Sequence, residues 1–244
     1  MQERTHHPSG PLALAVALAA AAGFVDAHIY VAVTPVFVAN MSGNLIHLGI
    51  LLGSEDRTQA AATLLALTAF TAGVIAATVH HDRQVARGRQ VHPAFLLAME
   101  SGLLLALTAW LVLAPVSFAV RPRAADLPVI AIAALAMGIQ AGALRRVGEI
   151  AVATTYGTGA IVRIGEKVVL AARRADRSSQ HRRRVAITVL VVVLISYVAG
   201  AAAATLAGTS PWLLALPATA LVACAITSRA THLVETDQPS PTPS

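Results

Sequence analysis

Residues 37–49 read Phe37-Val-Ala-Asn-Met-Ser-Gly-Asn-Leu-Ile-His-Leu-Gly49, a run of amides, a hydroxyl and glycines between apolar segments. A similar run, Ala153-Thr-Thr-Tyr-Gly-Thr-Gly-Ala-Ile-Val-Arg-Ile-Gly165, follows 116 positions later. Each places a hydroxyl residue before a glycine, Ser42-Gly43 and Thr158-Gly159, and has a second glycine six positions further on. We interpret these two runs, called here the first and second polar elements, as corresponding parts of an internal duplication.

The composition predicts that the chain lies in a lipid bilayer. Hydrophobic residues make up 56% of the 244 residues, charged residues only 12%, and the mean hydropathy is +0.68. A soluble domain is closer to about 45–50% apolar and about 25% charged. We therefore predict an integral membrane protein whose first partner is the lipid bilayer.

The net charge of +6 comes from 18 Lys and Arg residues, gathered mostly in short loops between apolar segments. That distribution is typical of a multi-pass membrane protein and argues against a nucleic-acid partner. Cys224 is the single cysteine, and no zinc-protease, nucleotide-binding or nucleophile-elbow motif is present in the sequence. We therefore expect no catalytic residues, no metal and no cofactor, and predict that the protein is not an enzyme.

Six segments are long and apolar enough to cross the hydrocarbon core, which needs about 20 residues of helix. They cover roughly residues 11–33, 58–79, 93–118, 127–144, 185–207 and 211–228. The two polar elements, at 36–52 and 150–170, either span the membrane or enter and return on one side. The second carries Arg163, Glu166 and Lys167, which would be costly to place in lipid.

The basic loops at 80–92 and 173–184 favour one topology. If both polar elements crossed, these loops would lie on opposite sides, against the tendency of basic residues to stay inside. If both re-enter, six spans remain, and a cytoplasmic N-terminus places both loops and the C-terminus in the cytoplasm. We therefore predict a multi-pass protein of the cell's inner (plasma) membrane with both termini cytoplasmic. A seven-span variant, in which one polar element crosses, stays open.

The predicted fold is all-α: six transmembrane helices in two inverted three-helix repeats, each with a short broken or re-entrant helical element. Repeat one covers 11–120 and repeat two 121–229, after a cytoplasmic segment at 1–10 and before a disordered tail at 230–244. The polar turns would then enter from opposite sides and approach each other near the midplane. Secondary transporters of this kind hold their substrates where the two repeats meet.

Four segments carry a family resemblance. They are Ala22-Gly-Phe-Val-Asp-Ala27, Val36-Phe-Val-Ala-Asn-Met-Ser-Gly-Asn44, Met137-Gly-Ile-Gln140 and Thr154-Thr-Tyr-Gly-Thr-Gly159. They resemble the signature segments of the YoaK-like family of small bacterial membrane proteins, also called the DUF1275 family, from about residue 12 to 228. The resemblance implies a six-span membrane protein but supplies no substrate. Ser42 keeps the hydroxyl of the family's usual pattern, whereas Ala160 lacks a hydrogen-bonding group.

The candidate substrate- or ion-binding residues share polar or backbone-exposing character within the polar elements and the spans beside them. They are Asp26, Asn40, Ser42, Gly43, Asn44, Gln140, Thr154, Thr155, Thr158 and Gly159. Their amides and hydroxyls can coordinate an ion or bind a polar solute, or they can serve only the backbone groups that a broken helix leaves without partners.

Asp26 and Glu100 are the candidates for proton or ion coupling, because both are acidic residues within or near apolar spans. Asp26 can bind a cation or proton, cap the helix of the first polar element, or lie in water at the interface. Glu100 can pair with an arginine or relay a proton.

The leading hypothesis is a carrier that moves a small polar solute or ion by exposing a midplane site alternately to each side. The alternatives are a non-transporting scaffold or regulatory protein, an intramembrane enzyme, and a passive channel. A homo-oligomer is compatible with the small-residue faces at Gly138/Gly142 and Ala204/Gly208.

Overall fold

The computed structural model describes residues 9–54, 56–89, 93–143, 146–147, 150–151, 157–172 and 177–231. Within these ranges the first half forms α1 (Ser9–Ala32), α2 (Met41–Leu52), α3 (Arg57–Ala86) and α4 (Ala94–Leu113). The second half forms α5 (Asp126–Ala143), α6 (Gly157–Ala172), α7 (Arg177–Ala207) and α8 (Ala215–Thr231). A 3₁₀ turn at Pro211–Leu214 precedes α8, and two-residue strands β1 (Arg146–Val147) and β2 (Ile150–Ala151) pair antiparallel. Residues before Ser9 and the predicted tail beyond Thr231 lie outside the described ranges.

The multi-pass, helical character predicted from composition is confirmed. In the described part of the chain, five helices are long and apolar enough to cross a membrane, and they match the first five predicted spans. These are Leu12–Ala32, Arg57–Ala86, Ala94–Leu113, Asp126–Ala143 and Arg183–Ala207. The predicted sixth span is formed by the 3₁₀ turn and α8 and gives a shorter apolar helix, Pro211–Ile226. The six-span count therefore stays a prediction.

The helices of the two halves pack in corresponding pairs, as expected for a duplicated chain. Helix α1 packs against α7, and its counterpart α5 packs against α3. In the same way α2 packs on α3 and α6 on α7, while α4 packs on α8. The contacts of α4 with α5 are matched by those of α8 with α1. Exchanging the first four helices for the last four thus leaves this set of contacts unchanged; the opposite orientation of the halves stays a prediction.

Glycines allow the α1–α7 pair to approach at backbone distance. A Cβ at Gly23 in α1 would overlap the carbonyl oxygen of Tyr197 in α7. A Cβ at Gly200 in α7 would likewise overlap the carbonyl oxygen of Ala20 in α1. Each glycine therefore faces the carbonyl of the residue three positions before the other glycine, an approach that any larger residue would prevent.

The α3–α5 pair repeats this arrangement. Gly73 faces the carbonyl oxygen of Leu135, and Gly138 faces that of Phe70. One turn further along α5, a Cβ at Gly142 would lie 2.5 Å from the Cβ of Ala77. The predicted close-packing face at Gly138 and Gly142 is therefore confirmed as a contact within the chain.

The connector between α4 and α5 brings four helix ends together. Its Ala119 N–H donates to the carbonyl of Val33, just after α1, over 2.9 Å. Its Arg121 pairs with Asp56 at a nitrogen–oxygen distance of 3.1 Å, and Asp56 caps the N-terminus of α3. The C-terminal end of α1 and the N-terminal end of α3 therefore lie at the same end of the bundle, beside the C-terminal end of α4 and the N-terminal end of α5.

Replacing Gly23 or Gly138 by alanine is expected to destabilise the fold by about 1–3 kcal/mol, because the added methyl overlaps a carbonyl oxygen that cannot move without its helix. Thermal unfolding in detergent measures the effect. Gly102→Ala is the matched control, since nothing lies within 4 Å of a Cβ there, and helix propensity alone favours alanine by about 1 kcal/mol. Equal melting temperatures for the three variants would contradict the close crossings.

Candidate functional site

A break between α1 and α2 creates the polar site. Helix α1 ends at Ala32 and α2 begins at Met41. Pro35 prevents the helix from continuing, because it lacks an amide donor and disfavours helical backbone before it. The amides of residues 38–40 therefore have no helical partner, although Val38 and Ala39 are buried. Buried amides of this kind need an acceptor from elsewhere in the protein.

Asp26 supplies that acceptor. Its Oδ1 accepts from the amides of Val38 at 2.6 Å and Ala39 at 2.7 Å. Its Oδ2 accepts from the amide of Asn40 at 3.1 Å and from the Tyr197 hydroxyl at 2.6 Å. The side chain is buried, at 3% exposure. Four donors match an ionised carboxylate, which only accepts hydrogen bonds.

Asp26 therefore caps the first polar element, one of the roles that the sequence left open. It lies six residues before the end of α1, or about 9 Å along the helix axis. The turn at residues 38–40 consequently lies within the bundle and below the end of α1. Proton or cation binding at Asp26 stays a prediction.

Asn40 and Asn44 close the same break. The Oδ1 of Asn40 caps α2 by accepting from the Gly43 amide at 3.2 Å and from the Ser42 hydroxyl at 2.9 Å. Asn44, which is fully buried, accepts from the amide of Phe37 at 3.1 Å and donates to the carbonyl of Phe37 at 2.6 Å. These side chains hold the first polar element in one conformation.

Aromatic rings cover the break. Phe37 stacks on Tyr30 with ring centroids 4.6 Å apart and meets the His47 ring at 5.9 Å. A Cβ at Gly43 would lie 3.0 Å from the Phe37 ring and 3.0 Å from the side-chain Nδ2 of Asn40. Gly43 thus lets α2 begin close beneath Phe37.

Gln140 and Glu100 lie away from this cluster. Gln140 in α5 is buried, and its Nε2 donates to the carbonyl of Leu18 in α1 at 2.9 Å. Leu18 precedes Asp26 by eight residues, about 12 Å of helix. Glu100 is fully buried in α4. The structure therefore brings together Asp26 and the residues of the first polar element, and places Gln140 and Glu100 elsewhere.

The second polar element is described only in part. Thr154 and Thr155 lie outside the described residues. Thr158 and Gly159 fall in the first turn of α6, which packs on α7 as α2 packs on α3. The predicted meeting of the two polar turns near the midplane stays a prediction.

Tyr197 is the site residue that sequence reasoning missed. It lies in α7, 171 positions from Asp26, and donates its hydroxyl to that carboxylate. The available signal was a tyrosine within a long apolar span, since a buried phenol hydroxyl usually has a hydrogen-bond partner. The identity of that partner required the α1–α7 packing.

A second polar region lies at the end of the bundle where the α4–α5 connector runs. An open cleft there is lined by Ser54, Asp56, Arg57, Thr58 and Arg121. In the described part of the chain, no three His, Cys, Asp or Glu side chains converge as metal ligands would.

The fold and the buried polar break define an all-helical, multi-pass membrane protein. The sequence profile of the family described as "Protein of unknown function (DUF1275)" matches residues 14–227, and the chain belongs to this family. The resemblance inferred from the motifs is thereby confirmed.

A curated relative is "UPF0700 transmembrane protein YoaK" of Bacillus subtilis (strain 168), 31% identical over 150 residues. That match covers 60% of this chain and 62% of the relative, so the chain spans less than two thirds of the relative's length. No solved structure matches the chain.

Changing the Asp26 carboxyl tests its role as the acceptor for the turn at residues 38–40 and for Tyr197. Asp26→Asn is expected to destabilise the protein by about 1–3 kcal/mol for each donor left without an acceptor. Tyr197→Phe is expected to cost about 1.5–3 kcal/mol, the contribution of a hydrogen bond to a charged group. Unfolding in detergent, followed by helical circular dichroism, measures both. Asp82→Asn is the control, because that carboxyl is 72% exposed. Losses no larger than that of the control would refute this role of Asp26.

Proposed function

We propose that the protein is a secondary carrier that moves a small polar solute or ion across the membrane. Its site would lie where the first polar element meets the opposite half of the chain. The observation that carries this proposal is the Asp26 carboxylate, which joins the broken helix of the first half to Tyr197 in α7 of the second. Carriers built from repeats use such broken helices at the junction of their halves.

A re-entrant first polar element is supported by its length and its flanks. Helix α2 has 12 residues, about 18 Å of helix, whereas the hydrocarbon core is about 30 Å thick. The segment leaves α1 beside Ala119 and joins α3 beside Arg121, both in the α4–α5 connector. We infer that the chain enters the membrane here and returns on the same side.

Inverted halves follow from that inference. With the first polar element re-entrant, the first half crosses the membrane three times, through α1, α3 and α4. An odd number of crossings starts the second half on the opposite side. The matching helix contacts of the two halves support this relation. Six crossings with cytoplasmic termini then place the basic loops at 80–92 and 173–184 in the cytoplasm.

The transport step would release Asp26 from its donors. Binding of a proton or cation to the carboxylate would weaken its hold on the amides of residues 38–40 and on Tyr197. Those groups would then be available to a solute, together with the amides and hydroxyls of Asn40, Ser42 and Asn44. Because the same carboxylate bridges the two halves, its release would also free one half to move against the other, as alternating exposure requires.

A non-transporting scaffold is the second candidate, and one observation favours it. The side chains of Asp26, Asn40 and Asn44 bond to groups within the chain, which is what a purely structural break requires. The two candidates therefore differ in whether the break opens.

Topology can be tested with single cysteines at positions 54, 124 and 178 in a Cys224→Ser background. An impermeant thiol reagent applied to intact cells is expected to label Ser54→Cys and Ala124→Cys and to spare Ser178→Cys until the membrane is made permeable. Labelling at position 178 from outside would contradict the inverted arrangement. Labelling at only one of positions 54 and 124 would contradict the two crossings, by α3 and α4, that separate these positions.

Transport can be tested with the purified protein in liposomes and a screen of radiolabelled polar solutes and inorganic ions. Wild-type protein is expected to show saturable flux of at least one of them. Asp26→Asn should reduce that flux by about tenfold or more, because asparagine cannot take up the proton or cation that releases the break. Tyr197→Phe keeps the carboxylate and should reduce the flux less. Asp82→Asn should leave the flux unchanged. Absence of flux from the wild-type protein across the screen would favour the scaffold.

A further inference from the structure

Glu100 is a buried acid with no structural task in the fold described above. It is the seventh residue of α4 and is fully buried. Neither of its carboxyl oxygens has a hydrogen-bond partner among the residues that the structure describes. Asp26, the other buried acid in a span of the first half, accepts from four donors. The Asp26 carboxyl group is therefore fully hydrogen-bonded, whereas the Glu100 carboxyl group is buried without a described donor.

The surroundings of Glu100 are apolar. Helix α4 packs against α8, α5 and the 3₁₀ turn, and Leu97, Leu104 and Leu221 belong to the core around it. The nearest hydroxyl on its own helix, that of Ser101, donates to the carbonyl of Leu97. Among the residues that the structure describes, no group replaces the water that an ionised carboxylate would lose.

Few other titratable groups belong to the packed helices. On α8, the Cys224 thiol lies within electrostatic reach of Glu100, and the side chain of Arg229 falls outside the described part of the structure. On α5 the titratable residue is Asp126, which is paired with Arg123 at the opposite end of the bundle from the start of α4. The 3₁₀ turn, Pro-Trp-Leu-Leu, has none. On α3, the His80 ring stacks on Phe95, five residues before Glu100, with ring centroids 4.6 Å apart. Neither oxygen of Glu100 accepts a hydrogen bond from His80 or from any other described group.

We propose that Glu100 is a proton-binding site and that the ion coupled to transport is the proton. The proposal rests on the proposed carrier function and names its coupling ion. An unpaired carboxylate in an apolar core is strongly disfavoured, whereas the neutral acid is tolerated. In the packed conformation that buries Glu100, this side chain is therefore the protonated acid.

Release of the proton requires the helices to separate. When α4 and α8 part, water reaches the carboxyl group, its O–H bond breaks, the proton passes to water, and the carboxylate remains hydrated. Glu100 lies six residues from the start of α4, and Asp26 six residues from the end of α1. Because the end of α1 lies at the connector and the start of α4 lies at the opposite end of the bundle, the two acids are near opposite faces. Glu100 would exchange its proton with the cytoplasm in the proposed topology.

The protonation state can be measured without knowing the solute. Infrared spectra of the wild-type protein in lipid should contain the carbonyl stretch of a protonated acid, and this band should be lost in Glu100→Gln. The band should convert to a carboxylate band as pH rises. Glu100→Asp should keep an acid band at a shifted position, and Asp82→Asn should leave the wild-type band unchanged. Absence of the band from wild-type protein at neutral pH would overturn the proposal.

A lipid-soluble carbodiimide provides a second measurement. The proton and oxygen of a neutral carboxyl group add across one C=N bond of the reagent, and the acyl group then migrates to nitrogen, so the adduct retains the whole reagent. Mass spectrometry should find this adduct at Glu100 in wild-type protein and its loss in Glu100→Gln. Glutamine has the shape of the neutral acid, so this variant should fold. Failure of wild-type Glu100 to react would contradict a neutral carboxyl there.

The outcomes separate this proposal from the carrier function. If wild-type protein transports a solute but the Glu100 band does not respond to pH, the proton site is wrong and the carrier stands. If no solute is transported but the band titrates, the carrier is wrong and the proton site stands. If both hold, Glu100→Gln should abolish accumulation driven by an imposed pH gradient while exchange of internal for external labelled solute continues.

Discussion

A chain that breaks its helix inside a bilayer must satisfy the freed amides from within the protein. Here one carboxylate does so: Asp26 accepts from the amides of Val38, Ala39 and Asn40 and from the hydroxyl of Tyr197. The carboxylate is buried, at 3% exposure, and each donor left without it would cost about 1–3 kcal/mol. The conformation of the first polar element, and its attachment to the second half of the chain, both depend on this group.

The Asp26–Tyr197 contact in turn depends on glycine. Gly23 lies three positions before Asp26 and faces the carbonyl of Tyr197, while Gly200 lies three positions after Tyr197 and faces α1. The close crossing of α1 and α7 therefore brings the phenol within reach of the carboxylate. The close helix contact and the Asp26–Tyr197 hydrogen bond therefore lie within one turn of each other. A larger residue at Gly23 or Gly200 would disturb the contact and the hydrogen bond together. The α3–α5 crossing has the same glycine arrangement, but no acidic residue lies beside its glycines. The two halves therefore share the helix crossing but not the buried carboxylate beside it.

Much of this architecture could be predicted from the sequence. Hydropathy located the first five spans, because a run of about 20 apolar residues is a direct consequence of bilayer thickness. The Gly138/Gly142 face predicted close helix packing, and the four family motifs predicted the family. The predicted sixth span, 211–228, is a shorter helix in the structure, because Pro211 begins a 3₁₀ turn within the apolar run.

The details of the site were harder to predict, because they depend on contacts between distant residues. No sequence pattern around Tyr197 indicates that it binds Asp26. Gln140 donates to the backbone carbonyl of Leu18, and because every residue has such a carbonyl, the sequence cannot identify this partner. Asn40 and Asn44 were correctly placed at the break, but periodicity does not distinguish a residue that binds a solute from one that caps a helix. For Glu100, the sequence showed an acid in a span but not the absence of an arginine partner in the described core around it.

Amide hydrogen exchange at residues 38–40, measured by mass spectrometry on the protein in lipid nanodiscs, shows whether the Asp26 carboxylate holds the broken helix in place. These amides lie outside any helix, yet they should exchange slowly in the wild-type protein and much faster in Asp26→Asn. The amides of α4 should be unchanged and serve as an internal reference. Rapid exchange in wild-type protein, or equal protection in the two proteins, would contradict this role of the carboxylate.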